Sequence, residues 1–330
     1  MAVVSRLFCG LGVGVLAAAL ASCAAPLARK PRLEVVTTVL PVTLFTRAVA
    51  GDCAQVTALI PPQSGLHDVQ VKPADLAALQ RASVLVKNGL GLEGFLGKVI
   101  AAAGNPSLQV IDSSKGIATI AADSSSAHDH DHVPGPEHSH GADHSHGADH
   151  SHGASSSAVN PHIWLDPRRA IEQVATIRDG LIAADPRCAA GYRQRAAAYS
   201  GQLQQLDQRM EQALRPYQGK TVVAYHDVAP YMAERYGIKV AYLVTVPEQQ
   251  PSPQDMLRLA QIARRNNLKT LLAEPQQSQA SIAALARDLG LTVSVFDPLE
   301  RADFEQSLEP QTYIKVMQAN LNGLLKAFDG

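Results

Sequence analysis

Three histidines stand apart from the other imidazoles of this 330-residue chain: His67 in IPPQSGLHDVQVKP, His162 in NPHIWLDP, and His226 at the end of TVVAYH. Each falls where an apolar, strand-like run ends or a loop begins, and Asp297 in VFDPLE has the same placement. Imidazole nitrogen and carboxylate oxygen both bind a borderline ion such as Zn²⁺, and three histidines with one carboxylate make a closed or nearly closed tetrahedral shell. A lone histidine at a strand end is ordinarily a polar loop residue, but four groups sharing this position point to one divalent site outside the carboxyl ends of strands, where ligands collect in open α/β sheets. Glu274, ending LKTLLAE, is expected either to orient a ligand from behind or to substitute as an oxygen donor. Asp68, Asp166 and Asp227 read first as turn or cap residues, each with the capacity to orient an imidazole through its far nitrogen.

The remaining nine histidines are His128, His130, His132, His138, His140, His144, His146, His150 and His152, in a run that includes HSHGADHSHGADHSHG. Between residues 121 and 158 there are six acidic residues, no Lys or Arg and no aromatic residue, so the segment cannot bury enough apolar area to order itself and attracts cations. Alternating histidines on such a backbone offer many exchangeable two- or three-imidazole sites, weaker than a preformed cage because ordering them costs entropy. The segment is expected to collect or sense zinc near the mouth of the site; the plainer reading is a solvated insert without a transport role.

Other chemistry is scarcely represented. Gly89, Gly91 and Gly94 in GLGLEG satisfy a dinucleotide fingerprint in spacing, but the motif follows the third strand rather than opening a domain. There is no G-x-x-x-x-G-K-[ST] loop and no H-E-x-x-H. The net charge is −1, and Lys and Arg form no stripe, which excludes a nucleic-acid surface.

Residues 33–38, 55–60, 83–88 and 108–112 read as strands, alternating with helices over 42–51, 72–82 and 92–104. A helix over about 168–184 follows the histidine-rich segment, then a helical pattern over about 187–215, which at 1.5 Å per residue would span roughly 40 Å and suits a strut between two lobes. Strands at 221–226, 239–244, 268–274 and 291–297 then alternate with helices at 227–237, 252–267 and 278–290, and a last helix covers about 309–328. The expected fold is therefore α/β: two lobes, each a mainly parallel four-stranded sheet flanked by helices, joined by one long rigid helix. The lobes are assigned to 33–186 and 217–330, with the connecting helix at 187–216.

The first 22 residues, with Arg6 ahead of an apolar run from Leu7 to Ala21, read as a secretory leader too short and Gly-rich for a membrane span. The run ends in Leu20-Ala21-Ser22-Cys23, which resembles a lipobox, so Cys23 is expected to carry lipid and place the chain outside the cytoplasm, in the periplasm or on the cell surface. Cys53 and Cys188 remain; an exported protein can join them, and two separate buried thiols fit the sequence equally well.

The stretches IPPQSGLHDVQVKPADL, LVKNGLGLEGFLGK, NPHIWLDPRRA, VAYHDVAPYMAERYG and VFDPL resemble the cluster A-I metal-binding lipoproteins, the solute-binding components of zinc and manganese ABC importers. The resemblance covers essentially the whole mature chain. It implies a metal held between the lobes by His67, His162, His226 and Asp297, delivery to a membrane permease with its ATPase, and no covalent chemistry; we read the mature chain as a monomer. Around the first histidine the chain departs from the family, with Leu66 before His67 and Gln70 where an acid is common. Histidine at 226, where glutamate would favour Mn²⁺, suits zinc, and the histidine-rich segment resembles the zinc-specific branch. The competing readings are a manganese or iron receptor of the same family, a zinc hydrolase in which water replaces Asp297, and an adhesin with a structural metal.

Overall fold

Parallel strands cannot be joined by tight turns and need a crossover, usually a helix; the alternation of apolar runs with amphipathic segments builds two such sheets here. The computed structural model describes residues 32–65, 69, 71–121, 159–245 and 250–329. The leader, Cys23, His67, Asp68 and the nine clustered histidines lie outside these residues.

In the first lobe, strands β1 (Leu33–Thr37), β2 (Ala54–Ala58), β3 (Val84–Lys87) and β4 (Gln109–Asp112) pair in the order β2-β1-β3-β4, all parallel. Helices α1 (Leu40–Ala50), α2 (Pro73–Arg81) and α3 (Leu96–Ala103) make the crossovers, and α4 (Pro167–Ala184) follows. The long helix α5 (Ala189–Leu214) leads to the second lobe. There β5 (Thr221–His226), β6 (Lys239–Val244), β7 (Thr270–Ala273) and β8 (Thr292–Val295) repeat the arrangement as β6-β5-β7-β8, again all parallel, with helices α6 (Pro230–Tyr236), α7 (Pro253–Arg265) and α8 (Gln279–Leu289) between them. Helices α9 (Phe304–Leu308) and α10 (Gln311–Asp329) close the chain. No helix among the described residues is long and apolar enough to cross a membrane.

Helix α5 buries Tyr192, Ala196, Tyr199, Leu203, Leu206, Met210 and Leu214. This three-four spacing keeps one stripe turned inward along the whole helix. The stripe joins the lobes energetically, because a single apolar cluster runs from Val35 and Phe45 in the first lobe through Tyr199 and Leu206 to Val222 and Leu324 in the second. In the second half of α5, fully buried Asp207 accepts hydrogen bonds from Arg168 Nε of α4 (2.6 Å) and from Arg235 Nε and Nη2 of α6 (both 2.9 Å). Burial alone would raise the Asp207 pKa; the bonds from Arg235 and Arg168 outweigh it and hold the carboxyl below its ordinary range. A disulfide joins Cys53, beside β2, to Cys188, just before α5, across 135 residues, with Cα atoms 6.2 Å apart.

Several boundaries differ from the sequence reading, for local reasons. The helix expected from residue 92 begins at Leu96, because Glu93 closes the preceding turn by accepting from Thr38 Oγ1 (2.6 Å) and from the N–H groups of Asn88 (2.7 Å) and Gly89 (3.0 Å). A carboxylate thus occupies backbone donors of the GLGLEG turn that a phosphate would need. The helix expected from 227 starts at Pro230, whose fixed φ suits a first turn. Helix α9 was not anticipated; Asp303 and Gln306 form its capping box, and α10 starts only at Gln311. Strands β7 and β8 stop before Glu274 and Asp297, which therefore lie in the loops beyond.

Ala121 and Val159, which flank residues 122–158 in the sequence, pair in an isolated antiparallel bridge. The Tyr231 hydroxyl of α6 accepts from the Ile120 N–H (3.1 Å) and donates to the Asn160 carbonyl (2.6 Å), while the Arg169 guanidinium lies 4.7 Å from its ring centre.

Candidate metal centre

Strand β5 places His226 at its carboxyl end, fully buried. His162 lies just before a short turn at Ile163–Leu165 and is 3% exposed. The two rings meet edge to face, with centres 5.3 Å apart, and the Trp164 ring closes the other side of His162 at 5.2 Å. Between them stands Glu300, 2% exposed, its Oε1 3.2 Å from His162 Nε2 and 3.3 Å from His226 Nε2. One ligand atom from each of the three lies within 4.8 Å of the others, close enough to share one ion.

Each imidazole is oriented from behind. Asn160 Nδ2 donates to the Asp227 carbonyl (2.8 Å) and to Asp227 Oδ2 (3.1 Å), which fixes the amide so that its Oδ1 faces His162. That oxygen accepts from the His162 backbone N–H (3.0 Å) and from Nδ1–H (2.9 Å). An amide oxygen only accepts, so Nδ1 carries a proton, and Nε2, 3.2 Å from Glu300 Oε1, is the nitrogen that faces the centre. On the opposite side, His226 Nδ1–H donates to Glu274 Oε1, and Gln276 Nε2 donates to Glu274 Oε2 (2.6 Å). A carboxylate behind a ligating histidine fixes the ring and raises its basicity.

The electrostatics follow from burying one imidazole between two acids. Burial by itself lowers the His226 pKa, but hydrogen bonds to Glu274 and Glu300 and their charges outweigh it, so the imidazole is held at about 10. Burial raises the Glu274 carboxyl, with His226 opposing. Asp297 is pushed up to about 6, chiefly by burial; the Leu299 N–H opposes, and the charges of Glu274 and Glu300 add to the rise.

The structure thus brings His162 and His226 together and adds Glu300, which sequence reasoning had not singled out. Asp297 is not among the three converging groups. Its Oδ1 accepts from the Leu299 N–H (2.8 Å), closing a turn in which fully buried Leu299 has φ +61°, a region that costs a non-glycine residue roughly 1–2 kcal/mol. Glu274 sits behind His226. Asp166 caps α4, accepting from the Arg168 N–H (2.8 Å) and Arg169 Nη1 (2.7 Å). His67 is outside the described residues, but the segment leading to it is anchored at the site: the Pro62 carbonyl accepts from the Ala302 N–H (2.8 Å), two residues beyond Glu300. The missed residues left some signal. Glu300 lies in the same VFDPLE stretch as Asp297, and Asn160 precedes His162 by two residues, but strand-end placement favoured the first acid of the pair.

The model of the family described as "Zinc-uptake complex component A periplasmic" matches residues 35–327. The zinc-binding lipoprotein AdcA of Streptococcus pneumoniae is 32% identical over 299 residues, covering 90% of this chain and 56% of its own length. The high-affinity zinc uptake system protein ZnuA of Bacillus subtilis is 29% identical over 294 residues, covering 89% of this chain and 86% of its own. The chain therefore spans about half the length of the AdcA relatives it matches. Among solved structures, the Zn(II)-bound ZnuA-like domain of S. pneumoniae AdcA superposes with a TM-score of 0.72 at 26% identity, over 91% of this chain and all of that domain.

Proposed function

The chain belongs to the family of periplasmic A components of zinc-uptake complexes, and from that premise we propose that it captures Zn²⁺ between its lobes and hands it to the permease and ATPase of an importer. His162 Nε2, His226 Nε2 and Glu300 Oε1 supply three ligands. His67, carried by the segment anchored at Pro62, supplies the fourth. Three imidazoles and one carboxylate suit zinc and leave no position for a reacting water, so the chain binds and releases without covalent chemistry. Glu274 and Asn160, bonded to the two Nδ1 atoms, keep both Nε2 atoms aimed inward. The leader ends at Cys23, whose lipid tethers a monomeric receptor outside the cytoplasm, and the nine clustered histidines gather zinc near the mouth of the site.

The observation that carries this reading is the convergence of three buried ligand atoms from distant parts of the chain within 4.8 Å. The test is zinc binding by competition with a chelator, in a chain lacking residues 128–152 so that the clustered histidines do not add to the count. The parent is expected to hold one ion, and His162→Ala, His226→Ala and Glu300→Ala each to weaken it by more than about 100-fold, since removing a ligand exceeds the 10–100-fold loss typical of removing a group that only orients one. Parent-like affinity in either histidine variant refutes the site; tighter binding of Mn²⁺ than Zn²⁺ transfers the function to manganese.

A further inference from the structure

Glu300 reaches the centre through a backbone reversal that leucine does not favour. After β8 the chain is clamped at Asp297, whose N–H donates to Asn320 Oδ1 (2.7 Å) and whose carbonyl accepts from Asn320 Nδ2 (2.7 Å). The next carbonyl, of Pro298, accepts from Trp164 Nε1 (2.9 Å). Leu299 then turns left-handed, at φ +61°, with its side chain fully buried, and Glu300 follows directly. An L side chain is crowded in that region, and an aspartate that accepts from the N–H two residues on forms an Asx turn, whose bond fixes the peptide entering the crowded residue. Asp297 Oδ1 makes that bond to the Leu299 N–H (2.8 Å). Returning Leu299 to an ordinary φ would rotate the peptide that precedes Glu300 and carry the carboxylate away from the two imidazoles.

We propose that Asp297 is a positioning residue for zinc binding: its carboxylate holds the left-handed turn at Leu299 and thereby aims Glu300 at His162 and His226. This rests on Glu300 being a zinc ligand. Asp297 touches the backbone rather than the ion, so its hydrogen-bond acceptor matters and its charge does not. Asparagine and serine keep an acceptor at that place; alanine does not. Glycine at 299 needs no such support, because it occupies positive φ without crowding.

The experiment uses the full chain with residues 128–152 removed, and reads zinc affinity by chelator competition, the visible absorption of the Co²⁺-loaded protein, and the melting temperature of the metal-free protein. Asp297→Asn and Asp297→Ser are expected within about 3-fold of the parent, with an unchanged Co²⁺ spectrum, whereas Asp297→Ala weakens zinc by about 10–100-fold, as loss of an orienting group does. Adding Leu299→Gly to Asp297→Ala is expected to recover most of that loss. If D297N and D297S lose as much as D297A and shift the Co²⁺ bands, Asp297 is itself a ligand and the proposal is overturned. If the bands hold but L299G brings no recovery in a double variant that still melts cooperatively, it is equally overturned. Should the glycine variant melt too low to read, D297N and D297S against D297A decide alone. Glu300→Ala is measured alongside: parent-like zinc binding there removes the premise, an outcome separate from any result at Asp297.

Discussion

If His226 binds zinc as proposed, its proton must leave as the ion enters. With its pKa held at about 10, this imidazole is charged across the neutral range in the metal-free protein, donating from Nδ1 to Glu274, with Glu300 Oε1 3.3 Å from Nε2. Ligation at the proposed site needs the Nε2 lone pair, so each ion should expel a proton, and apparent affinity should rise by up to about tenfold per pH unit below about pH 10 and level off above it. Calorimetry in buffers of different ionisation enthalpy checks this; uptake with no proton released contradicts it. For folding the sign is that of a raised base: the charged imidazole stabilises the metal-free protein fully below its ordinary pKa of 6.5, and this stabilisation is lost as pH climbs through about 10. At this scale the sequence is readable only in part. His162 and His226 stand beside apolar runs that visibly end. Glu300 stays hidden because the reversal at Leu299 swings the third residue after Asp297 inward, and no periodicity records a left-handed leucine. Asn160 stays hidden because its role depends on Asp227, 67 residues away, holding the far end of its amide.

Helices α4, α5 and α6 meet at one carboxylate. Asp207 has no contact with solvent and takes three guanidinium hydrogen bonds, so Asp207→Ala leaves Arg168 and Arg235 without their shared partner. The Arg168 side chain is 56% exposed and recovers water, which limits the cost; the expected loss is about 1–3 kcal/mol of stability, measured by urea unfolding. Asp207→Asn, which keeps the shape and loses the charge, should fall between. Because this carboxyl is held below its ordinary 3.8, its contribution is present above that value and disappears as pH falls through the lowered one. The α/β alternation was legible because most strands are short runs rich in Val, Ile, Leu and Thr, and most helices carry Pro, Ser or Asp at their starts. What was not legible is where tertiary bonds overrule local preference: Glu93 delays α3, and α9 is too short to display a period.

The two lobes are not independent bodies. One apolar cluster runs from β1 to α10 along α5, and a wide hinge would have to split it or break the hydrogen bonds of a 26-residue helix. Trp164 of the first lobe also bonds to Pro298 of the second, and the Tyr313 hydroxyl returns a bond to the Trp164 carbonyl (2.7 Å). Zinc-loaded and chelator-treated protein should therefore give the same radius of gyration by small-angle X-ray scattering, release proceeding through the ligand-bearing turns; a clear expansion on metal removal contradicts this. The pairing of Ala121 with Val159, clasped by Tyr231, has a further consequence. It ties the two ends that flank residues 122–158 to each other and to α6, so the scaffold's own contacts close without that stretch. For a chain segment between two fixed ends, doubling the length costs only about 0.6 kcal/mol of closure entropy. The number of residues and histidines between Ala121 and Val159 is thus expected to be changeable over a wide range, with the receptor keeping its shape.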